Sequence, residues 1–322
     1  MVVLMSFPSR IVLLDRGTLP VAMRAPALSL QWHEHESTVR EQVVACLENA
    51  EVAISNKVPL MATELAQLPQ LKLIAVAATG TNNVDLEYCR EYGIAVCNVS
   101  GYSTHSVAEH TFSLLLTLQR QIHSYHADIL AGAWQSSTHF ALLSHPLHDL
   151  YGSTLGIFGY GHIGQAVARI AEAFGMRVLV AERKDEKTLR KGRVLFRQML
   201  EEADVVTLHC PLTPETRNLI AEPELRVMKP TAILLNLARG GVVDETALAL
   251  ALREKWITGA GVDVLSNEPP LSGNPLLEMV GPNCILTPHV AWASQQSLAR
   301  LAEEITLNIE AFFRGEPRNR IV

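Results

Sequence analysis

Three polar side chains stand just after apolar, strand-like segments, and together they could bind an anion and deliver a proton. Arg239, Glu268 and His289 each follow such a segment within a few residues. Reduction of a carbonyl by hydride transfer needs a cation for the substrate's carboxylate and an acid for the forming alkoxide. Arg239 fits the first role and His289 the second. A carboxylate from Glu268 would hold the imidazole in orientation and favour its protonated form.

Each of these three residues also has a structural interpretation. A single Arg after a strand is commonly a surface ion-pair partner, and a Glu before two prolines is commonly a solvated turn residue. A His after Pro is more often structural than catalytic. Their joint occurrence at successive strand ends, downstream of a glycine-rich loop, favours the chemical interpretation.

The glycine-rich loop belongs to residues 154–184, which read TLGIFGYGHIGQAVARIAEAFGMRVLVAERK. A short apolar strand leads into Gly159, Gly161 and Gly164, and an amphipathic helix and a second apolar strand follow. Glu182 stands at the end of that strand, about twenty residues beyond the glycines, where a dinucleotide-binding unit places its ribose acid. The complete pattern predicts a dinucleotide site, because a bare strand-to-helix turn would not require the acid.

Composition limits the classes of protein. The 322 residues suffice for two domains, and 48% of them are apolar. No apolar run approaches the roughly eighteen residues of a membrane helix, so no membrane partner is expected. The net charge of −6 is not concentrated in any basic block, which argues against nucleic-acid binding. The five cysteines lack metal or redox spacing, so we expect buried reduced thiols, no metal site and a cytoplasmic location.

Strand and helix patterns alternate along the whole chain and predict an α/β protein with two doubly wound parallel sheets. A helix is expected over 38–50, with Thr38 and Glu41 at the spacing of a capping box. A long apolar helix is expected from Thr104, with Ser103 or Thr104 as its N-cap. Asp244 is expected to start a later helix, and the final helix over 294–313 to cover the first domain. Predicted strands lie at 11–15, 52–55, 73–77, 94–97, 154–158, 176–181, 204–209, 232–237, 259–264 and 284–287.

These segments resemble the NAD-dependent D-2-hydroxyacid dehydrogenase family across nearly the whole chain. The signatures are GYGHIG, HCPLTPETRNLI, LLNLARGGVVDETAL, GAGVDVLSNEPP and TPHVAW in the second part, and AATGTNNVD and GYSTHSVAEHT before it. The resemblance implies a Rossmann dinucleotide-binding domain at 101–292. It also implies a flavodoxin-like substrate-binding domain at 5–100 plus 293–322.

The same resemblance implies a role for each matching residue. Arg239 would bind the substrate's carboxylate and carbonyl, His289 would donate the proton, and Glu268 would be its partner. Further substrate contacts would come from Asn56, Lys57, Thr79 and Gly80. The cofactor would be bound by Thr104, Gly159, Gly161, His162, Ile163, Gly164, Glu182, Cys210, Pro211, Leu237, Ala238, Arg239, Asp263, His289 and Ala291.

Cofactor preference is predicted from Glu182. The family more often has Asp at this position, and here Arg183 and Lys184 follow the acid. A glutamate suits the ribose diol and repels a 2′-phosphate, so NAD is favoured over NADP. The resemblance also implies a homodimer formed through the NAD-binding domain.

Within the family, the chain is most similar to glycerate dehydrogenases, also called hydroxypyruvate reductases. The expected reaction is NADH-dependent reduction of hydroxypyruvate or glyoxylate to D-glycerate or glycolate, or its reverse. A phosphoglycerate or lactate dehydrogenase remains an alternative. A corepressor-like binding protein that senses NAD, which would not be an enzyme, remains a second alternative. A formate dehydrogenase is disfavoured, because that branch carries Gln where this chain has Glu268.

Overall fold

The computed structural model describes residues 9–186 and 188–322, and the chain divides into two compact units. Unit 1 runs from the first described residue to Tyr102 and resumes from Ala293 to Val322. Unit 2 comprises Ser103–Trp292. The predicted domain boundary after residue 100 lies two residues before this division, and residues 5–8 of the predicted first domain lie outside the described residues.

Unit 1 is built on a five-stranded parallel sheet in the order β2-β1-β3-β4-β5. This is the flavodoxin-like order, and it confirms the predicted doubly wound sheet. The central strands are buried throughout because helices cover both faces of such a sheet. The strands are β1 (Ser9–Leu13), β2 (Leu30–Glu34), β3 (Val52–Ser55), β4 (Leu73–Val76) and β5 (Ala95–Cys97).

The first helix differs from the prediction. Residues 38–50 form a 3₁₀ turn, Arg40–Gln42, followed by the short helix α1, Val43–Cys46. Thr38 does not cap a helix, because its hydroxyl donates a 2.5 Å hydrogen bond to the carbonyl of Leu14. The predicted capping box is therefore wrong. The edge strand β2 was not predicted, since its residues are mostly exposed and lack an apolar run.

The remaining helices of unit 1 are α2 (Ala62–Leu65), α3 (Leu86–Tyr92) and the C-terminal helix Gln295–Phe313. Ser294 caps the C-terminal helix by accepting a 3.2 Å hydrogen bond from the Ser297 N–H. Asn308 donates to the Asn98 carbonyl at 3.0 Å, so this helix is attached to the end of the first sheet. The prediction that the final helix covers the first domain is confirmed.

Unit 2 contains a six-stranded parallel sheet in the order β11-β10-β9-β8-β6-β7. A parallel bridge between Ala181 and Val194 extends it beyond β7. With that bridge the order is that of the Rossmann fold, as predicted. The strands are β6 (Thr154–Phe158), β7 (Arg177–Val180), β8 (Val205–Leu208), β9 (Ile233–Asn236), β10 (Gly259–Val262) and β11 (Cys284–Leu286).

Helices cover both faces of this second sheet. They are α4 (Thr104–Gln119), α5 (Ile122–Leu130), α6 (His162–Ala173), α7 (Phe196–Glu202), α8 (Glu222–Val227) and α9 (Glu245–Arg253), with a 3₁₀ turn at Pro275–Met279. Helix α4 packs on α6 and on strands β9 and β10, which explains its apolar character. Its N-cap position is Ser103 rather than Thr104, without a side-chain capping bond. Asp244 caps α9 as predicted and accepts from the Ala247 N–H at 2.9 Å.

The described residues contain neither a membrane-spanning helix nor a cluster of metal-binding side chains. None of their helices combines the length and apolarity needed to span a membrane. Nor do they contain a group of three His, Cys, Asp or Glu side chains arranged to hold a metal ion. The five cysteines are all free; four are buried, whereas Cys46 is partly exposed and differs from the expectation.

Candidate active site

His289 and Glu268 form a hydrogen-bonded pair at the carboxyl end of the second sheet. His289 Nδ1 lies 2.6 Å from Glu268 Oε2. The other carboxylate oxygen of Glu268 accepts a 2.8 Å hydrogen bond from the Leu265 N–H, which fixes the carboxylate in place. Because Nδ1 faces Glu268, Nε2 is the ring nitrogen left to meet a substrate. This is the arrangement that an oriented general acid requires.

The loop that carries His289 is held by the buried carboxylate of Asp263. This carboxylate accepts from the Thr287 hydroxyl at 2.5 Å and from the Val290 and Ala291 N–H groups at 3.0 Å each. The backbone of His289 has a φ of 55°, a left-handed conformation that a non-glycine residue seldom adopts. The hydrogen bonds around Asp263 therefore hold a strained turn. They also occupy a side chain that is predicted to bind the cofactor.

Arg239 supplies an unneutralised cation. Its side chain is half-buried, and its Nη1 donates to the Ala238 carbonyl at 2.7 Å. Within residues 9–186 and 188–322, no carboxylate lies within ion-pair distance of its guanidinium. A half-buried cation without a counter-ion favours binding of an external anion, and a guanidinium suits a carboxylate in particular.

The loops that carry Arg239 and Glu268 touch through Gly240. A Cβ on Gly240 would lie 1.9 Å from the Leu265 carbonyl oxygen and 2.4 Å from the Ser266 nitrogen. Only glycine allows this backbone contact. Backbone packing at Gly240 thus positions Arg239 relative to Glu268, the partner of His289.

The glycine-rich loop has the shape that a dinucleotide needs. Gly159 has a φ of 93°, and a Cβ there would lie 2.5 Å from the His209 carbonyl. At Gly164 a Cβ would lie 2.2 Å from the Gly159 carbonyl oxygen, so this glycine allows α6 to pack close to the loop. At Gly161 nothing lies within 4 Å, which leaves room for a pyrophosphate in front of the N-terminus of α6.

A cavity of about 770 Å³ lies beside this loop, within unit 2. Of the predicted cofactor residues, Gly159, Cys210 and Pro211 line it, together with Tyr160 and several basic side chains. Other predicted cofactor residues lie outside the lining of this cavity. His162 and Ile163 begin α6, and Thr104 begins α4. Leu237, Ala238 and Ala291 are buried. Their contacts with a cofactor remain predictions.

Glu182 is less free than the sequence suggests. It is only 1% exposed, and Arg190 Nε donates to its Oε2 at 2.7 Å while Arg190 Nη2 donates to its Oε1. The Arg190 hydrogen bonds lower the pKa of Glu182 to about 2, against the opposing effect of burial. Arg190 thus contacts both oxygens of the side chain that is predicted to bind the ribose, and ribose binding by Glu182 stays a prediction.

In unit 1 the predicted substrate residues lie after the carboxyl ends of β3 and β4. The buried carboxylate of Asp15 accepts from the Lys57 N–H at 2.7 Å and from the Asn56 N–H at 3.0 Å. Burial raises the pKa of Asp15, and these N–H groups act in the opposite direction. Thr79, whose hydroxyl donates to the Val99 carbonyl at 2.8 Å, and Gly80 follow β4.

Sequence reasoning missed several residues that support the site. Arg190 and Asp15 belong to no sequence motif: Arg190 pairs with Glu182 across a turn, and Asp15 accepts from Asn56 and Lys57, about forty residues further along the chain. Glu245 is a third case: its carboxylate accepts from the Ser266 N–H at 2.6 Å and from Asn274 Nδ2 at 2.6 Å, and so anchors the loop that bears Glu268. The one sequence signal for Glu245 is its place directly after Asp244, the N-cap of α9.

Known proteins match this chain over most of its length. The family described as "D-isomer specific 2-hydroxyacid dehydrogenase, NAD binding domain" matches residues 112–291. A glycerate dehydrogenase of Methylorubrum extorquens is 45% identical over 96% of this chain and 98% of its own length. A hydroxypyruvate reductase of Blautia hydrogenotrophica is 36% identical over 88% of each chain. The crystal structure of the TT0316 protein from Thermus thermophilus superposes with a TM-score of 0.84, at 37% identity, over 97% of this chain and 100% of that one.

Proposed function

The chain belongs to the D-isomer specific 2-hydroxyacid dehydrogenase family, and from this premise we propose that it reduces hydroxypyruvate or glyoxylate with NADH. The products are D-glycerate and glycolate, and the reaction is reversible. The 2.6 Å contact between His289 and Glu268, in the same unit as the unneutralised Arg239, is the observation that carries the proposal.

In this proposal the chain's residues bind the substrate and move the proton. Arg239 holds the carboxylate of the 2-keto acid and polarises its carbonyl. His289 Nε2 donates a proton to the carbonyl oxygen as it becomes an alcohol, while Glu268 keeps the ring oriented and compensates its charge. The nicotinamide dinucleotide supplies the hydride. Asn56, Lys57, Thr79 and Gly80 are proposed to take part in substrate binding.

Support for the substrate comes from the relatives. The names glycerate dehydrogenase and hydroxypyruvate reductase belong to proteins similar over at least 88% of this chain. A phosphoglycerate or lactate dehydrogenase would carry the same proton donor as His289 and the same cation as Arg239. A corepressor-like sensor would bind the dinucleotide without turnover. NADH is the proposed reductant, and the discrimination against NADPH that Glu182 alone would give is weakened by its pairing with Arg190.

The test is NADH oxidation by the purified protein with hydroxypyruvate, glyoxylate, pyruvate and 3-phosphohydroxypyruvate. The matched control is hydroxyacetone, which replaces the carboxylate of hydroxypyruvate with a methyl group. We expect turnover of hydroxypyruvate or glyoxylate at the highest kcat/KM and almost none of hydroxyacetone. Equal turnover of the acid and the ketone would refute the role of Arg239, and NADH binding without any turnover would favour the sensor.

A homodimer is proposed to form through unit 2. Large apolar side chains are exposed along residues 130–151, among them Leu130 at 75%, Phe140 at 94%, Leu143 at 85% and Tyr151 at 83%. Such a concentration on a soluble unit is typical of a protein interface. Sedimentation velocity should detect a dimer that Phe140→Asp weakens, whereas Leu271→Asp, at a side chain 91% exposed in another loop, should leave it intact. A monomeric wild type would refute the proposal.

A cytoplasmic location is proposed as well. Its support is the absence of disulfides among the five cysteines and the use of a nicotinamide dinucleotide as the reductant. Cell fractionation with an antibody against the protein tests it, and recovery from an extracytoplasmic fraction would contradict it.

A further inference from the structure

The carboxylate of Glu182 has no hydrogen-bonding capacity left for a ribose. Besides the two bonds from the Arg190 guanidinium, it accepts from the Arg183 N–H at 3.0 Å and from the Arg190 N–H at 3.3 Å. Each oxygen thus accepts two hydrogen bonds, and a carboxylate offers about four acceptor positions in total. In this arrangement Glu182 stabilises the turn after β7 and does not present an open acceptor to the cavity.

Pairing with Arg190 also changes the electrostatic effect of Glu182 on a bound cofactor. A lone buried carboxylate would repel a 2′-phosphate strongly, because a partly desolvated site screens charge weakly. The salt bridge makes the two side chains neutral as a pair. Arg190 uses Nε and Nη2 for Glu182, its side chain is 61% exposed, and its Nη1 has no acceptor among the described residues. It can therefore hold Glu182 and still donate to a phosphate.

A second arginine beside the same cavity has no partner in the described part of the chain. Arg183 directly follows Glu182, lines the 770 Å³ cavity and is exposed. Its guanidinium makes no hydrogen bond or salt bridge with a described residue, although the carboxylate of Glu215 is close enough to feel its charge. By contrast, Lys184 is paired with Glu224 at 2.9 Å.

Arg193 shapes the wall of this cavity. Its Nη1 donates to the Ala181 carbonyl at 3.0 Å, and its guanidinium carbon lies 5.2 Å from the centre of the Tyr160 ring. The carboxylates of Asp185, Glu186 and Glu215 also line the cavity. Four basic and three acidic side chains thus line the cavity, and two of the basic ones, Lys184 and Arg190, are paired with Glu224 and Glu182. The guanidinium of Arg183 and the Nη1 group of Arg190 are the donors that we consider for a phosphate.

We propose that Arg183 and Arg190 form a binding site for the 2′-phosphate of NADPH, so that this chain accepts NADPH as well as NADH. The inference rests on the proposed function, since it concerns the cofactor of that reaction. It replaces the simpler expectation that a glutamate at this position excludes a 2′-phosphate. Arg190 is the residue that decides the matter, because it both neutralises the acid and donates to the phosphate.

The first experiment measures binding to the intact protein without turnover. Calorimetric titration of the wild-type protein with NADH and with NADPH should give dissociation constants within about tenfold of each other. NADH binding with NADPH more than a hundredfold weaker would overturn this inference alone. Failure to bind either dinucleotide would overturn the proposed function together with it.

The second experiment isolates the phosphate contact. The probes are 2′,5′-ADP and 5′-AMP, which differ only in the 2′-phosphate. Arg183→Gln should weaken 2′,5′-ADP binding at least tenfold and change 5′-AMP binding less than threefold. Lys191→Gln is the matched control, because it removes the same charge one residue from Arg190 at an exposed side chain that does not line the cavity. Equal effects of Arg183→Gln and Lys191→Gln would refute the site.

Arg190→Gln tests the dual role of that arginine. The variant leaves the buried Glu182 without its counter-ion, so 2′,5′-ADP binding should fall further than in Arg183→Gln. The double variant Arg190→Gln/Glu182→Gln keeps the pair neutral and guards against loss of folding. It should recover part of the 2′,5′-ADP affinity, because the unpaired negative charge is gone. Unchanged 2′,5′-ADP binding in both variants would refute the role of Arg190.

Discussion

Replacement of Gly240 by alanine should separate the loop of Arg239 from the loop of Glu268. The added Cβ would lie 1.9 Å from the Leu265 carbonyl oxygen and 2.1 Å from its carbonyl carbon, and both are backbone atoms. Ordinary carbon contacts require roughly 3.5 Å, so one loop must move by more than about 1 Å. The φ of Gly240 is not positive, and the effect of the substitution is therefore one of space alone.

The magnitude follows from two costs. A shift of about 1 Å between groups that act together can lower the rate about a hundredfold, or about 2.7 kcal/mol of transition-state stabilisation. Overpacking of this kind also lowers the free energy of unfolding by about 1 to 3 kcal/mol. We therefore expect kcat/KM for hydroxypyruvate to fall about a hundredfold in Gly240→Ala, with folding retained.

The assay compares kcat/KM, the free energy of unfolding in urea and the NADH dissociation constant in three proteins. Gly281→Ala is the control, because its Cβ would meet only the Met279 carbonyl oxygen, at 3.9 Å, and its φ is not positive. We expect Gly281→Ala to match wild type in all three measurements. If Gly240→Ala also keeps kcat/KM and stability within threefold and about 0.5 kcal/mol of wild type, the proposed coupling of the two loops is refuted.

Three further predictions concern histidine and cysteine side chains. His289→Gln should lower kcat by about a hundredfold or more while NADH binding, followed by fluorescence, stays near wild type; retained turnover would show that another acid delivers the proton. Burial lowers the pKa of His209 to about 4 from 6.5, so the unfolded chain takes up a proton at a higher pH than the folded one. Acidification through this window should therefore cost up to about 3 kcal/mol of stability in urea titrations, and His209→Gln should flatten that loss; equal pH dependence in the two proteins would contradict the assignment. Burial also raises the pKa of Cys97 to about 12 and those of Cys89, Cys210 and Cys284 to about 11, so a disulfide reagent at pH 8 should modify Cys46 rapidly and the other four thiols only after denaturation. Rapid modification of several thiols in the native protein would be the contrary result.

Most of the fold could be predicted from the sequence because its signals are local. Apolar runs of four to six residues mark the strands, and a glycine, Asp or Ser marks many helix ends. Parallel strands end at the same edge of a sheet, so residues that follow successive strands are brought together without further information. For that reason Glu268 and His289 could be paired from the sequence, and the structure places them 2.6 Å apart.

Other features depended on residues distant in the chain. The hydroxyl of Thr38 bonds to Leu14 rather than to its own turn, so the first helix is shorter than its periodicity predicts. The carboxylate of Asp263 accepts hydrogen bonds from the loop that carries His289, and no sequence pattern around Asp263 predicts this. Such choices of hydrogen-bond partner depend on which chain segments meet, and this is decided by packing.

Glu182 shows most clearly which properties of a residue the sequence determines and which depend on the tertiary structure. Its position at the end of a strand, about twenty residues after the glycines, is a local property and could be predicted from spacing alone. Its charge state and its free acceptors depend on Arg190, which reaches it only because the chain turns back after β7 to form the bridge between Ala181 and Val194. A sequence determines which residue type stands at a ligand-binding position, whereas the tertiary structure decides whether that side chain still has hydrogen bonds to offer.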